Sequence, residues 1–561
     1  MNLRQRAVEA TIAVLFVVLV VSCGGNGSKP VPPATSGIPL VTTDNLPPAQ
    51  PGEVHLFAIN DLHGNLEPPQ GGNGHVGAYT AGGAAYLAAH LARLHAAYPA
   101  SAIVSAGDNV SASPLISALF HDEPTIDYMN DLGVAASSVG NHEFDHGIPE
   151  LRRIRQGGCA ATGCSPGSPF TGAVFPYLAA NVTDTNGQLP PGLQPWTMLR
   201  VGGHRIGVVG VVTPATAGIV MPTAIAGYTF GDEAEAIDKY VPQLKSAGAE
   251  TIVALIHDGG AQQTHGAPSD YNGCAGITPN VTALAQHVDP AVRVLLTGHT
   301  HLAYNCVIDG KVVTQGASYG RLITDVTLRF HGGKVDATAV NRVVTRTVTP
   351  DPATQKLVDF YAAQSAPLAA RVIGSTAGPL PNEPAPGGDS PLGDVIADSM
   401  LAAMAPAQAS VAVMNPGGVR ADLSGSAVTY EQAYTVEPFG NEVVTVALTG
   451  AQLLALLEQQ WDNRVAPGVL SAAGITYAYS DAAPKGHKVI ADTVRVGDQP
   501  LDPAAVYQVS TNNYLASGGD GFSVFTQGRP SGVGPSDLDA LESYLAAHPN
   551  LVPPPSRIQR R

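Results

Sequence analysis

The chain has 561 residues, a formal net charge of −16, and 44% hydrophobic against 13% charged residues. This composition is typical of folded globular protein and excludes a disordered chain, and the length exceeds what one hydrophobic core usually serves, so it predicts two domains. The negative charge argues against a nucleic-acid polymer as partner, because polymer phosphates need a basic surface. A small phosphate substrate is compatible with it, since bound cations reverse the local field.

The first residues read as an export signal. Arg4 and Arg6 precede an apolar run at 11–21 that is too short to span a bilayer as a helix. The run ends at Cys23 in a pattern that resembles the lipobox of bacterial lipoproteins, in which the cysteine is acylated. Residues 1–23 are therefore predicted to be a lipoprotein signal peptide on an exported, membrane-anchored protein that faces outside the cytoplasm. An ordinary signal peptide cleaved nearby is the alternative.

Residues 24–52 are rich in Gly, Ser, Pro and Thr and predict a flexible tether. Beyond Cys23 there are four cysteines, and an even number in an exported protein favours disulfides. Of the three possible pairings we expect Cys159–Cys164 with Cys274–Cys306, which closes one short and one moderate loop. Zinc binding by these four is the rival interpretation, but they contain no CxxC pair.

Strands and helices alternate through the region 53–346, which predicts a layered α/β domain. Helical spacing covers Tyr79–Ala97 and Thr125–Leu132. The buried strand patterns are, in chain order, Val54–Ile59, Ala102–Ser105, Ala135–Val139, Ile206–Val212, Thr251–Ile256 and Val292–Thr297. Polar groups follow these strands repeatedly, and the carboxyl ends of strands are where such folds place their sites.

After Arg346 the pattern changes. Residues 347–380 predict a linker helix and hinge, and 381–545 predict a second, smaller α/β domain followed by a tail at 546–561. The elements expected in this domain are helices at Leu392–Met404 and Ala451–Gln460 and strands at Val411–Met414 and Val443–Leu448.

Seven side chains at or just past strand ends carry oxygen or nitrogen donors: Asp61, His63, Asp108, Asn141, His257, His299 and His301. These donor types suit divalent ions such as Zn²⁺ or Mn²⁺. Seven are too many for one ion and appropriate for two ions that share a bridging carboxylate, an arrangement that generates hydroxide and clamps a phosphoryl group. Each piece alone is more often an ordinary polar loop, so the prediction depends on the whole set. Histidines 55, 75, 90, 95, 121, 204 and 265 are interpreted as structural.

The same motifs resemble the signature of calcineurin-like metallophosphoesterases, and Asn141-His142-Glu143-Phe144-Asp145 resembles the 5′-nucleotidase family. The resemblance implies a four-layer sandwich for the first domain. It also implies one metal held by Asp61, His63, Asp108 and His301, and a second held by Asp108, Asn141, His257 and His299. A catalytic dyad of His142 and Asp145 follows, in which the carboxylate orients the imidazole and the imidazole stabilises transition-state charge or assists the leaving oxygen.

The second domain carries motifs that resemble the substrate-binding segments of this family. The resemblance implies that Phe439 and Tyr514 sandwich a nucleobase and that Arg420 holds phosphate. The full set of implied substrate residues is Asn415, Gly418, Arg420, Phe439, Asn441, Tyr514 and Asp520. Three features depart from the family: His301 replaces a common amide, Pro416 removes a backbone donor, and no arginine precedes Asp389.

The sequence therefore predicts an exported enzyme with two divalent metal ions that hydrolyses nucleotides by attack of a metal-bridged hydroxide. A 2′,3′-cyclic nucleotide phosphodiesterase or a UDP-sugar pyrophosphatase is the alternative within this class. A non-catalytic surface-binding lipoprotein is the alternative from a different class, and the intact set of seven donors speaks against it. The oligomeric state is left open.

Overall fold

The structure is a computed structural model that describes residues 38–166, 169–264, 269–462 and 468–561. The predicted signal peptide with Cys23, and His265, lie outside the described residues. Ile38–Arg561 form one compact unit. Among the described residues, every helix is too short or too polar to cross a lipid bilayer.

The N-terminal domain is defined here by β1 to β16 and α1 to α8. Its strands are β1 Glu53–Ile59, β2 His75–Val76, β3 Tyr79–Thr80, β4 Ser101–Ser105, β5 Val134–Ser138, β6 Tyr177–Leu178, β7 Val182–Asp184, β8 Trp196–Val201, β9 His204–Val212, β10 Tyr228–Phe230, β11 Thr251–His257, β12 Val292–Thr297, β13 Tyr304–Ile308, β14 Lys311–Gln315, β15 Leu322–His331 and β16 Lys334–Val343. Its helices are α1 Ala84–Ala97, α2 Leu115–Ala118, α3 Glu123–Asp131, α4 Gly147–Gln156, α5 Thr216–Ile219, α6 Glu233–Ser246, α7 Pro279–His287 and α8 Pro352–Ala369.

Two six-stranded sheets, in the orders β16-β15-β1-β4-β5-β6 and β13-β14-β12-β11-β9-β8, form the middle of this domain. They pack face to face through aliphatic side chains such as Leu56, Val104, Val253 and Val294. Helices α1, α3 and α4 cover the outer face of the first sheet, and α6 and α7 cover that of the second. The fold is therefore the four-layer α/β sandwich that the sequence predicts, built because strands buried on both faces need cover on both.

Parallel pairing decides where the functional loops meet. Strands β1, β4 and β5 run parallel in one sheet, and β9, β11 and β12 run parallel in the other. The carboxyl ends of parallel strands lie at one edge of a sheet. The loops that follow β1, β4, β5, β11 and β12 therefore converge where the two sheets meet.

The C-terminal domain contains strands β17 Val372–Gly374, β18 Val411–Met414, β19 Val428–Thr429, β20 Glu442–Thr449, β21 Ser471–Ala473, β22 Ile475–Tyr479, β23 Arg495–Val496, β24 Gln499–Pro500, β25 Val506–Asn512, β26 Arg529–Ser536 and β27 Ile558–Arg560. Its helices are α9 Pro391–Ala403, α10 Tyr430–Val436, α11 Gly450–Glu458, α12 Asn513–Ala516 and α13 Asp537–Ala547. The central sheet has the order β21-β18-β25-β20-β26. It is buried on both faces: Val411 and Val413 face one core, while Ala412 and Met414 face the other.

Residues 38–52 do not behave as the flexible tether that their composition predicts. The Val41 amide donates to the Tyr271 hydroxyl at 2.9 Å, and the buried Thr43 hydroxyl lies 2.7 Å from His90 Nδ1. Tyr98 donates to the Pro47 carbonyl at 2.9 Å. The prediction of a flexible tether is therefore wrong for residues 38–52. Their composition could not reveal these contacts, because the partners lie far away in the sequence.

The segment 546–561 is likewise not a free tail. Strand β27 pairs in parallel with β22, with Tyr477 opposite Ile558. Arg557 donates two hydrogen bonds to the Asp398 carboxylate, at 2.8 and 2.7 Å, and so ties the segment to α9. The last residues complete the C-terminal domain.

Two further boundaries differ from the sequence prediction or refine it. The first predicted helix begins at Ala84 rather than Tyr79, because Tyr79–Thr80 pairs with His75–Val76 as a short hairpin. Helix α8 packs its buried Val358 and Tyr361 against the N-terminal core. The helix in the segment 347–380 is therefore part of the N-terminal domain. Both expected disulfides are present, Cys159–Cys164 and Cys274–Cys306.

Candidate active site

The loops at the shared edge of the two sheets bring all seven proposed metal ligands into one cluster. Three overlapping groups have donor atoms close enough for one ion: Asp61, His63 and His301; His63, Asp108 and His142; and Asp108, His257 and His299. The Asn141 Oδ1 atom lies 3.1 Å from His257 Nε2 and 2.9 Å from His299 Nδ1. The seven proposed ligands therefore lie close together, and one of the three groups also includes His142, which the resemblance assigns to the catalytic dyad.

Asp108 lies between the two groups. Its Oδ2 atom is 2.9 Å from His257 Nε2 and 3.6 Å from His63 Nε2. On the other side, His63 Nε2 is 3.2 Å from His301 Nε2, which is itself 3.4 Å from Asp61 Oδ1. A carboxylate in this position is suited to bridge two ions.

Backbone contacts orient the two innermost imidazoles. His63 Nδ1 hydrogen-bonds to the Ser111 carbonyl at 2.9 Å, and His257 Nδ1 hydrogen-bonds to the Ala106 carbonyl at 2.8 Å. In each ring this leaves Nε2 directed into the cluster, which is the usual way that a protein prepares an imidazole to bind a metal. The donors are nitrogen and oxygen without thiolate, so the residues present fit zinc, manganese or a similar divalent ion.

The backbone of the cluster is strained. Five of the seven donors have a positive φ angle: Asp61 50°, His63 44°, Asp108 50°, His299 73° and His301 59°. Non-glycine residues seldom adopt this conformation, and such residues concentrate at functional sites. The loops also approach each other closely: a Cβ at Gly140 would lie 2.1 Å from Asp108 Oδ1, so only glycine fits there.

The titratable groups of this cluster shift one another's pKa values. Burial alone would raise the pKa of Asp108, but His257 and His142 lower it well below its usual value. Burial alone would lower the pKa of His257, but the Asp108 carboxylate raises it to about 10. Burial and the charge on His257 lower the pKa of His299 to about 4. The buried carboxylates thus create a place where positive charge is stabilised.

The proposed dyad lies beside this cluster. His142 Nδ1 is 2.7 Å from Asp145 Oδ2, and the His142 amide donates to Asp108 Oδ1 at 2.9 Å. Burial would lower the pKa of His142, but Asp145 and Asp108 raise it. The imidazole therefore holds its proton more strongly than an isolated histidine does, which suits a group that stabilises developing negative charge.

Glu143 is a functional residue for which the sequence alone gave no role. It accepts hydrogen bonds from the amides of Asp108, Asn109 and Gly140, at 2.9, 2.9 and 2.5 Å. Its carboxylate therefore joins the loops after β4 and β5. Its place inside the Asn141–Asp145 motif was the available signal, but two of its three partners lie 34 and 35 residues earlier in the chain.

A cavity of 470 Å³ opens onto the cluster and is shared by the two domains. The dyad and four of the proposed metal ligands line it, while Asp61, His63 and His257 lie beneath, fully buried. All seven proposed substrate residues line it as well: Asn415, Gly418, Arg420, Phe439, Asn441, Tyr514 and Asp520. The sequence did not single out several other lining residues, among them His146, Met221 and Asn512.

The C-terminal domain forms the opposite wall of the cavity, and its side chains contact one another and His142. The Phe439 ring stacks on His142 with centroids 5.8 Å apart, and the Arg420 guanidinium lies 5.7 Å from the Phe439 centroid. Tyr514 donates to Asp520 Oδ1 at 2.7 Å, and Asn415 donates to Asp520 Oδ2 at 3.0 Å. Among the described residues that line the cavity, Arg420 is the only arginine or lysine.

The four-layer fold, with this donor set at the joined strand ends, defines a metallophosphoesterase. Residues 54–303 match the calcineurin-like phosphoesterase family, and residues 372–527 match the 5′-nucleotidase C-terminal domain. The chain belongs to the 5′-nucleotidase family of calcineurin-like phosphoesterases, and it is a phosphoric ester hydrolase.

Relatives along the whole length support this assignment. The chain is 30% identical over 534 residues to the cell wall protein Lmo0130 of Listeria monocytogenes, covering 88% of this chain and 67% of that protein. It is 31% identical over 503 residues to the endonuclease YhcR of Bacillus subtilis, but it spans only 39% of that protein's length. The crystal structure of a 5′-nucleotidase precursor from Thermus thermophilus matches with a TM-score of 0.77 at 27% identity, over 91% of this chain and 99% of that one.

Proposed function

We propose that this enzyme is exported and hydrolyses nucleoside 5′-monophosphates with the help of two divalent metal ions. The observation that carries the proposal is the shared cavity, in which metal donors from one domain face an arginine and two aromatic rings from the other. Such a cavity brings a phosphate to the metals and a flat ring to the aromatic side chains. Export agrees with the names of relatives such as the cell wall protein and with the N-terminal signal pattern.

Asp61, His63, Asp108 and His301 would hold one ion, and Asp108, Asn141, His257 and His299 the other. Two bound divalent ions supply a nucleophile derived from water and neutralise charge on a phosphoryl group. The residues of this chain then have three tasks: to bind the phosphate, to fix the base and to stabilise charge on the leaving side.

Arg420 would bind the phosphate through its planar guanidinium, which presents paired donors to phosphate oxygens. Its side chain lines the cavity, and its buried Nε atom lacks a hydrogen-bond partner among the described residues. His142, held by Asp145, would place its positive charge or its proton at the leaving oxygen. Phe439 and Tyr514 would contact the base, and the closed wall would exclude water.

A cyclic nucleotide or a nucleotide sugar is the second candidate, favoured by the single cavity arginine. One guanidinium neutralises the single charge of a cyclic phosphodiester, or the charge on one of the two phosphates of a nucleotide sugar, whereas a monoester carries two charges on one phosphate. AMP, 2′,3′-cyclic AMP, UDP-glucose and a single-stranded oligonucleotide, compared as substrates of the protein loaded with Zn²⁺ or Mn²⁺, separate these readings. We expect the highest kcat/KM for AMP, none for the oligonucleotide, and no activity after chelation. No hydrolysis of any ester would refute the proposal.

A further inference from the structure

Two buried carboxyl groups lie behind the aromatic wall of the cavity, outside the catalytic cluster. Glu437 follows α10 and precedes the loop Pro438–Asn441, which carries Phe439; Asp537 begins α13. Each side chain is 1% exposed. Their surroundings are apolar, with Val436, Val443 and Leu538 in the same core. Carboxyl groups are seldom buried in such a place without a purpose.

These carboxyls have few partners. Among the described residues, both oxygens of Glu437 and Oδ2 of Asp537 lack a hydrogen-bond partner. The remaining Asp537 oxygen accepts the Leu538 amide at 2.9 Å. Two ionised carboxylates in this pocket would repel each other and lose their hydration, so the pocket favours a state in which a proton remains on the pair.

Asp537 is joined directly to the cavity loop. Its amide donates to the Asn441 carbonyl at 2.8 Å. Asn441 and Phe439 both line the cavity, and Phe439 covers His142. The start of α13 therefore holds one end of the loop, while Glu437 forms the other end.

We propose that Glu437 and Asp537 act together as a positioning pair that fixes the Pro438–Asn441 loop, and through it the aromatic ring that faces the substrate. This inference rests on the proposed function for its kinetic consequence, but the structural coupling between pair and loop does not depend on it. With a proton retained, the pair leaves the loop in place against His142; when both carboxyls are ionised, their repulsion favours movement of the loop away from His142.

Both carboxyl groups have raised pKa values. Burial raises the pKa of Asp537 to about 7, and burial together with Asp537 raises the pKa of Glu437 well above its usual value. The elements packed around the pair carry these charged groups: Asp539 and Glu542 on α13, Glu431 on α10, Asp394 and Asp398 on α9, Lys356 and Asp359 on α8, Glu442 on β20, Arg529 on β26, and Arg371, which pairs with Glu542. Asp539 also raises the pKa of Asp537.

Glu437→Gln and Asp537→Asn test the pair, because each amide keeps the shape of the protonated acid. Glu442→Gln is the matched control, since it removes an exposed carboxylate next to the same loop. The metal-loaded proteins are compared at pH 6 and pH 9 by AMP hydrolysis and by hydrogen–deuterium exchange of residues 438–442.

We expect the wild-type KM for AMP to rise about tenfold between pH 6 and pH 9, and to stay within about twofold in Glu437→Gln. At pH 9 the loop amides exchange faster in the wild type than in Glu437→Gln, and at pH 6 they exchange equally. We expect the Glu442→Gln control to match the wild type in both KM and exchange. Parallel KM profiles with equal exchange in wild type and both variants would overturn the inference. If the wild type hydrolyses no AMP, the proposed function fails, and the exchange comparison still decides the role of the pair.

Discussion

The two walls of the cavity are built differently. In the N-terminal domain five of the seven donors are buried, their loops interlock through Glu143 and Gly140, and five donors hold a strained backbone. In the C-terminal wall Arg420, Asn441, Tyr514 and Asp520 are half-buried, and polar groups are partly satisfied by each other, as in the Asn415–Asp520–Tyr514 chain. The contrast indicates that the reaction chemistry is fixed by one domain, while the other can change its substrate without disturbing that chemistry.

The largest effect is expected at the buried wall, for Asp108→Asn. Loss of the central carboxylate removes charge from both donor groups, so kcat falls on the order of 10³-fold or more and bound metal decreases. Metal content by atomic emission and AMP hydrolysis measure this. Asp336→Asn serves as the control, because it alters an exposed aspartate that also contacts a histidine. Unchanged metal content in Asp108→Asn would contradict the proposed role of this carboxylate in holding metal.

Asp145→Asn comes next. The amide no longer supports a charged His142, so kcat falls about 100-fold while metal content stays constant. Kinetics on AMP with parallel metal analysis separate this variant from Asp108→Asn. Lost metal would mean that Asp145 belongs to the metal cluster.

On the opposite wall, Arg420→Ala is expected to raise KM for AMP about 30-fold, with a smaller change in kcat. A charge-assisted hydrogen bond of about 2 kcal/mol corresponds to this ratio. Arg420→Lys keeps the charge but loses the planar fork, and it recovers only part of the loss. A fall confined to kcat would contradict a role in substrate binding.

The smallest effect concerns stability. Because burial in the folded protein raises the pKa of Asp537 from its ordinary value of 3.8 to about 7, the folded protein retains a proton that the unfolded chain has already lost. This contribution to the free energy of unfolding therefore falls as pH rises from about 4 to about 7. Asp537→Asn should raise Tm relative to wild type by a few degrees at pH 8 and by less at pH 5. Scanning calorimetry at both pH values tests this, and an equal shift at the two would refute it.

The sequence predicts much of the site because the signal is local. Each metal donor lies at or directly past a strand, often beside a glycine, and parallel pairing brings those strand ends together. The missed features depend on distant partners: Thr43 with His90, Tyr477 with Ile558, and Glu143 with the loop after β4. The Glu437–Asp537 pair joins residues 100 positions apart, and nothing in the local composition of either segment marks it.

The left-handed backbone of the metal donors has a consequence for how the enzyme matures. Each such residue costs on the order of 1–3 kcal/mol and persists only where its surroundings are already folded. The loops packed around these residues must therefore hold the strained backbone in place, as Gly140 does beside Asp108. Maturation of the site thus depends on the folding of the whole N-terminal domain rather than on one short segment.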